Sequence, residues 1–294
     1  MVSRYLGTND RFFNLMLFIV SFIIIVLAAF PIYFVVIASI SDPVKLLNGY
    51  VTFLPTGINF EAYKEVFKNQ QIWNGYRNSI VYTTVGTCIN LFLTTIAAYA
   101  LSRRTLPGRN AIMFIITFTM FFHGGLIPTY LLVKSLNLTG TMWALVIPNA
   151  IATYNLIVMR TYFQSSIPDE LLEAAEMDGC SNLRTFWSVV LPLSTPILAV
   201  MILFYAVQHW NSYFNALIYL RDSKMFPLQI ILRDILIQNK MQMDVDNFGS
   251  DKSIFLAESI KYAVIMVASI PVIAMYPFVQ KYFVKGIMVG AIKG

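Results

Sequence analysis

The chain has 294 residues, of which 57% are hydrophobic and 12% charged, with a formal net charge of +6. A soluble domain carries about 25% charged residues, so this composition excludes an ordinary soluble enzyme. The basic residues flank apolar runs, where they set membrane orientation, and so give no nucleic-acid signal. Cys88 falls in an apolar run and Cys180 in a polar one, so neither a disulfide framework nor a metal site is expected.

The first apolar run, 12–40, is far longer than the roughly 7–15-residue core of a cleaved signal, and no A-x-A site follows it. It reads as a first membrane span. A span needs about 20 apolar residues. Six runs meet or approach that length: 13–39, 79–101, 111–133, 142–159, 196–220 and 260–278. The fold class is therefore all-α, one polytopic membrane domain over 1–294. His123-Gly124-Gly125 and Pro128 should break or kink the third run. Pro271 and Pro277 lie in the sixth, where neighbouring helices can satisfy the freed backbone groups. Six spans place both termini on one side. The total Lys/Arg count does not separate the two sides, and the tight Arg103-Arg104…Arg109 loop is the best local signal that this side is the inside.

Two outer loops are long. The first, 41–77, carries a helical stretch around Phe60-Glu61-Ala62-Tyr63. The second, 221–259, carries Leu228-Gln229-Ile230-Ile231-Leu232-Arg233-Asp234-Ile235-Leu236, with apolar residues at helical spacing. It is expected as an amphipathic helix at the membrane surface. These loops could receive an external protein or simply cap the bundle.

A polar island, 168–192, interrupts the apolar chain. Ser166 with Asp169 fits an S-x-x-D cap. Asp169, Glu170 and Glu173 suit the positive end of a helix dipole. Ala174 and Ala175 are small and strongly helix-forming. Gly179, after Asp178, can take the left-handed conformation that stops a helix. A second helical piece then runs to Leu191-Pro192.

The fifth run contains Gln208-His209-Trp210-Asn211-Ser212-Tyr213-Phe214-Asn215. At 1.5 Å per residue, Asn211 stands about 20 Å from Pro196, deep in a roughly 30 Å core. Polar side chains at that depth face the bundle interior, a watery path or a partner helix. Gln208, Asn211 and Asn215 are spaced to share a helix face, with Tyr213 off it. His209 belongs to the same run, and His123 sits beside the glycine pair at similar depth. Amides, hydroxyls and aromatic faces of this kind bind sugars; the same groups also bond helix to helix. No G-x-x-x-x-G-K-[ST] sequence occurs, so the chain has no phosphate-cradling loop of that type. H-E-x-x-H and G-x-S-x-G are absent as well.

The spacing Glu173-Ala174-Ala175, Gly179, Val189-x-Leu191-Pro192 resembles the EAA loop of ABC importer permeases. The one departure is Val189, where that family usually has Ile. The resemblance extends over the whole chain and points to the MalG-like half of carbohydrate importers, with a MetI-like arrangement of six transmembrane helices. Gly124-Gly125-Leu126-Ile127-Pro128-Thr129-Tyr130 further resembles the subgroup serving polysaccharide fragments, such as pectin- or alginate-derived oligosaccharides. The resemblance implies that 162–192 is a cytoplasmic coupling loop docking on a separate ATPase. It implies that the tail, 279–294, with Lys285, Gly286 and Lys293, also meets the ATPase pair. The implied partners are a second, MalF-like permease, an ATPase dimer, an extracytoplasmic sugar-binding protein and membrane lipid, but no nucleic acid. No cofactor is expected on this chain; ATP and Mg belong to the ATPase subunits. The implied location is the bacterial cytoplasmic (inner) membrane, with both termini cytoplasmic.

Overall fold

The computed structural model describes residues 8–245 and 251–291. Among them every regular element is helical. That is what hydrocarbon demands, because a helix satisfies its own backbone polar groups. In chain order they are α1 (Thr8–Ser39), α2 (Pro43–Leu47), α3 (Glu61–Lys68), α4 (Gln70–Ser102), α5 (Arg109–Phe121) and α6 (Leu126–Ser135). Then come α7 (Trp143–Val146), α8 (Thr153–Ser166), α9 (Asp169–Met177), α10 (Asn182–Thr185), a π segment (Phe186–Val190) and α11 (Leu191–Leu193). The remainder are α12 (Thr195–Trp210), α13 (Phe214–Tyr219), a 3-10 turn (Ser223–Met225), α14 (Leu228–Val245) and α15 (Asp251–Ala291).

Among the described residues, three helical stretches are long and apolar enough to cross a membrane: Phe12–Ser39, Gln70–Ser102 and Glu258–Pro277. Two bent pairs raise the number to five. α5 and α6 meet at 116°, the break expected at the glycine pair. Gly125 holds φ +84° there, a conformation open to glycine and costly for other residues. The stretch 182–193 meets α12 at 82°. The expected span 142–159 is corrected: it is a four-residue α7, a non-helical passage through Pro148, and α8. Proline has no N–H to extend the α7 ladder. The expected continuous run 196–220 is corrected too, since α12 stops at Trp210 and helix resumes at Phe214.

The chain forms two units. One comprises Met1–Asn69 and Ile235–Ser269. Its buried centre is Ile37, Ala38, Leu46 and Val51, with Phe34 and Tyr262 packed on it. Asp42 caps α2 by accepting from the N–H groups of Val44 and Lys45, and Tyr63 donates to Ser39 Oγ at 2.8 Å. Earlier in α1, Phe18, Ile24 and Leu27 point outward.

The second unit comprises Gln70–Asp234 and Ile270–Gly294. α4 is its spine, packing on α8 and α12. Leu101, Leu156, Met159, Phe163, Val190, Met201 and Tyr205 fill the centre. Each such apolar side chain removed from solvent contributes about 1.5–3 kcal/mol in water. Tyr205 is wholly buried, and its hydroxyl is satisfied by Thr94 Oγ1 at 2.6 Å and by the Ala152 N–H at 3.3 Å. The start of α14 corrects the membrane-surface reading. Leu228, Ile230, Ile231 and Leu232 are all buried. Leu228 N–H donates to Ser79 Oγ at 2.8 Å, and a Cβ on Gly75 would stand 2.5 Å from Ile231 Cδ1. Glycine on α4 is what admits this helix into the protein interior.

Candidate functional site

α9 stands out from the second unit on a narrow base. Leu172 and Ala175, one turn apart, are buried. Glu170, Glu173, Ala174, Glu176, Met177, Asp178 and Gly179 are exposed. Asp169 and Glu170 occupy the first turn, where negative charge complements the helix dipole. The expected Ser166 cap is corrected: Ser166 closes α8, and extended Pro168 precedes α9 without a side-chain cap bond. Gly179 ends the helix with φ +75°. Cys180 N–H donates to Ala175 O at 2.9 Å, and Gly179 N–H to Glu176 O at 3.0 Å. These two bonds form a Schellman stop, which satisfies carbonyls the helix end would leave open.

An elbow follows. Ser181 accepts from the Arg184 N–H to start α10, and the π segment leads into Leu191-Pro192. A proline inside a helix removes one hydrogen bond and crowds the preceding turn; a widened π turn just before it relieves that crowding. Ser194, wholly buried, donates to Val190 O at 2.7 Å at the bend into α12. Phe186 and Val190 anchor the elbow in the core, while Leu183 and Trp187 stay exposed.

One exposed ion pair joins the α4–α5 loop to the base of α9, and two hydrogen bonds tie α8 to the end of α4. Arg104 Nε lies 3.3 Å from Asp169 Oδ2. Arg160 donates its Nε–H to Leu101 O at 2.9 Å, and Gln164 donates to Ser102 O at 3.4 Å.

The polar run of the fifth expected span gathers around a cavity of about 190 Å³. Gln208, His209, Asn211, Tyr213 and Asn215 line it, with Asn149 from the passage before α8. Gln208, Asn211 and Asn215 do not share one helix face as expected, because Asn211 caps α12 and 211–213 is a break. The break itself turns Tyr213 to the same cavity. His209 is 4% exposed. Its Nε2–H donates to Asn90 Oδ1 at 3.4 Å, and Asn90 Nδ2 donates to Asn149 O at 2.9 Å. A Cβ on Gly86 would lie 2.4 Å from His209 Nε2, so glycine makes room for the ring. Arg233 places its guanidinium 5.4 Å from the Tyr213 ring centre.

His123 is exposed at the α5–α6 break and does not line this cavity. Helix α15 runs through Lys285, Gly286 and Gly290. Lys293 lies outside the described residues. Gly86, Asn90, Asn149, Arg104 and Arg233 are the site residues that sequence reasoning missed. A signal existed for two of them: Gly75, Ser79, Tyr82, Gly86, Asn90, Thr94 and Ala98 are buried at three- and four-residue steps. Small and polar residues so spaced make the contact face of a membrane helix. Among the described residues, no group of three or more His, Cys, Asp or Glu could hold a metal ion.

No protein-family model matches the chain. It is 41% identical over 287 residues to the polygalacturonan/rhamnogalacturonan transport system permease protein YtcP of Bacillus subtilis (strain 168), covering 97% of this chain and 100% of that one. It is 40% identical over 264 residues to the protein LplC of the same organism, covering 90% and 89%. It is 27% identical over 273 residues to the arabinooligosaccharides transport system permease protein AraQ of Halalkalibacterium halodurans, covering 91% and 92%. Among solved structures, a chain of a bacterial ABC transporter involved in the import of the acidic polysaccharide alginate matches with TM-score 0.83 and 35% identity, covering 96% of this chain and 100% of that chain.

Proposed function

We propose, because this chain belongs to the permease subunits of sugar- and polysaccharide-transporting ABC transporters, that it forms one membrane half of an importer for pectin- or alginate-like oligosaccharides. It is a transport component rather than an enzyme. The family implies a partner permease, an ATPase and a binding protein. In our reading these are a MalF-like permease, an ATPase dimer carrying ATP and Mg, and an extracytoplasmic protein that delivers sugar. The membrane is the bacterial cytoplasmic one, and both termini face inward.

α9 is the piece that meets the ATPase. Its Glu173–Ala174 side is free, its small residues allow close approach, and its Schellman stop fixes its aim. The elbow through Leu191-Pro192 joins α9 to α12, so a displacement of α9 is delivered to the helix bearing the polar cavity. Lys285, Gly286 and Lys293 of the tail add a second contact with the ATPase pair. ATP shifts the bundle only through unequal affinity for its two states.

Gln208, His209, Asn211, Tyr213 and Asn215 line the sugar path, with His123 at a separate position along it. Amide and hydroxyl groups match sugar hydroxyls, and the Tyr213 ring offers an apolar face. Arg233 beside that ring is 3.6 Å from Asp234 and has further guanidinium donors suited to a uronate carboxylate. The observation that carries the substrate class is the 41% identity across 97% of the chain to a polygalacturonan/rhamnogalacturonan permease. The test is uptake by vesicles holding the complete importer, comparing labelled oligogalacturonate, a neutral oligosaccharide and a non-sugar solute. Oligogalacturonate should enter in an ATP-dependent way; transport of the non-sugar solute alone would overturn the reading. Orientation is tested separately on a cysteine-free background. Cysteines replacing Asn110 and Ser181 should be shielded from an impermeant thiol reagent in intact cells, and one replacing Asn69 should react.

A further inference from the structure

The loop joining α4 to α5 encloses a cavity of about 420 Å³ beside the base of α9. Arg103, Arg104 and Arg109 line it, with Gln164 and Asp169. Three guanidiniums thus share a space with one carboxylate. Asp169 pairs with Arg104 at 3.3 Å, and Arg103 lies 6.0 Å from the Tyr99 ring centre. Nη1 of Arg109 is enclosed by protein and has no hydrogen-bond partner. An enclosed charged donor left without an acceptor is costly. Arg160, next to this group, has its guanidinium pKa lowered by burial and then by the Arg109 charge. The cavity is short of negative charge, and the guanidiniums that line it belong to the side chain that best fits phosphate.

A lipid rather than a free ion fits the surroundings. Arg109 is the first residue of α5, and α5 leaves the cavity with Ile112, Phe114 and Ile115 exposed. A headgroup phosphate among the arginines would put its acyl chains alongside that apolar helix. We propose that this cavity binds the phosphodiester headgroup of an anionic phospholipid, with Arg103 and Arg109 among its donors. Bound there, the headgroup neighbours Asp169 and Leu172 of α9, so the base of the proposed coupling helix is fastened to the bilayer. The inference rests on the inward placement of this loop. The cysteine-labelling experiment tests that placement without reference to lipid, so the two can fail separately.

The experiment uses the full-length chain in neutral detergent, titrated with phosphatidylglycerol, phosphatidylcholine or inorganic phosphate and read by native mass spectrometry. Phosphatidylglycerol should be retained in preference to phosphatidylcholine. Arg109→Gln should weaken that retention about fivefold, since one basic residue near an anionic lipid surface contributes about 1 kcal/mol. Arg103→Gln is the second variant, read in the same way if Arg109→Gln unfolds. Equal retention of the two lipids overturns the proposal, as does unchanged retention in both folded variants. Displacement of phosphatidylglycerol by equimolar inorganic phosphate would identify a free-phosphate site and overturn the lipid assignment.

Discussion

α9 holds its shape through bonds made within its own neighbourhood, from Asp169 to the Cys180 N–H. The cavity around Asn211 takes its walls from α7, the passage through Asn149, the end of α12 and the start of α13. The first is a local motif projecting on two buried side chains; the second exists only once distant segments have packed. A change in α9 should therefore alter where the helix points while leaving the protein folded. A change at the cavity should disturb packing as well as any contact with sugar.

The strongest way to break this contrast is Gly179→Val. A Cβ at Gly179 meets nothing within 4 Å, yet φ is +75°. The substitution thus brings no clash, only backbone strain of about 1–3 kcal/mol. Relief of that strain would undo the Schellman stop and swing α9. We expect ATP-driven uptake to fall about tenfold or more while membrane insertion and melting temperature stay near wild type. Gly179→Asn, which tolerates the left-handed conformation better, should keep much of the uptake. Normal transport by Gly179→Val would remove the aiming role.

Gly86→Val is the counterpart at the cavity. Its Cβ would press on three His209 ring atoms at 2.4–2.7 Å. Overpacking of a filled interior costs about 1–3 kcal/mol. Here the melting temperature of the purified complex should drop, with uptake falling in step. Loss of uptake without loss of stability would mean that Gly86 acts on the path rather than on packing.

This contrast also marks what could be read from the sequence. The acidic turn, the Glu173-Ala174-Ala175 stretch and the Gly179 stop are local chemistry, and each was legible. Ser166 misled because Pro168 disfavours helix at Ile167, so α8 ends at Ser166 and α9 starts afresh at Asp169 after two extended residues. The fifth run looked continuous because its hydropathy is continuous. The break at 211–213 is marked by Asn211 and Ser212, polar residues that cap and turn as readily as they line a helix. Burial of Leu228, Ile230, Ile231 and Leu232 depended on Gly75, Ser79 and α4, some 150 positions earlier. No periodicity within α14 reports on that.

Asn211→Ala sharpens the contrast further. If Asn211 touches sugar, the loss of one hydrogen bond, about 0.5–1.5 kcal/mol, should lower apparent sugar affinity by up to about tenfold in an assembled complex. If it serves only packing, assembly and melting temperature should fall while sugar response per assembled complex is unchanged. The second outcome would leave the cavity structural.

The smallest effect is expected at Arg104. Its partner Asp169 sits at the first turn of α9, so the pair looks like a tether for the coupling helix. The side chains are 79% and 51% exposed, however. Exposed pairs of this kind contribute about 0–1 kcal/mol and are screened by salt. α9 is held instead by Leu172 and Ala175, which are buried. Arg104→Gln should therefore change uptake less than about twofold, and raising salt should shrink the difference between variant and wild type. Leu172→Ala, which empties part of the buried base, should do more, because large-to-small changes at buried sites cost about 2–5 kcal/mol. Should Arg104→Gln impair coupling more than Leu172→Ala, α9 is steered by charge rather than by its buried footing, and the account of it as a self-contained motif on an apolar base fails.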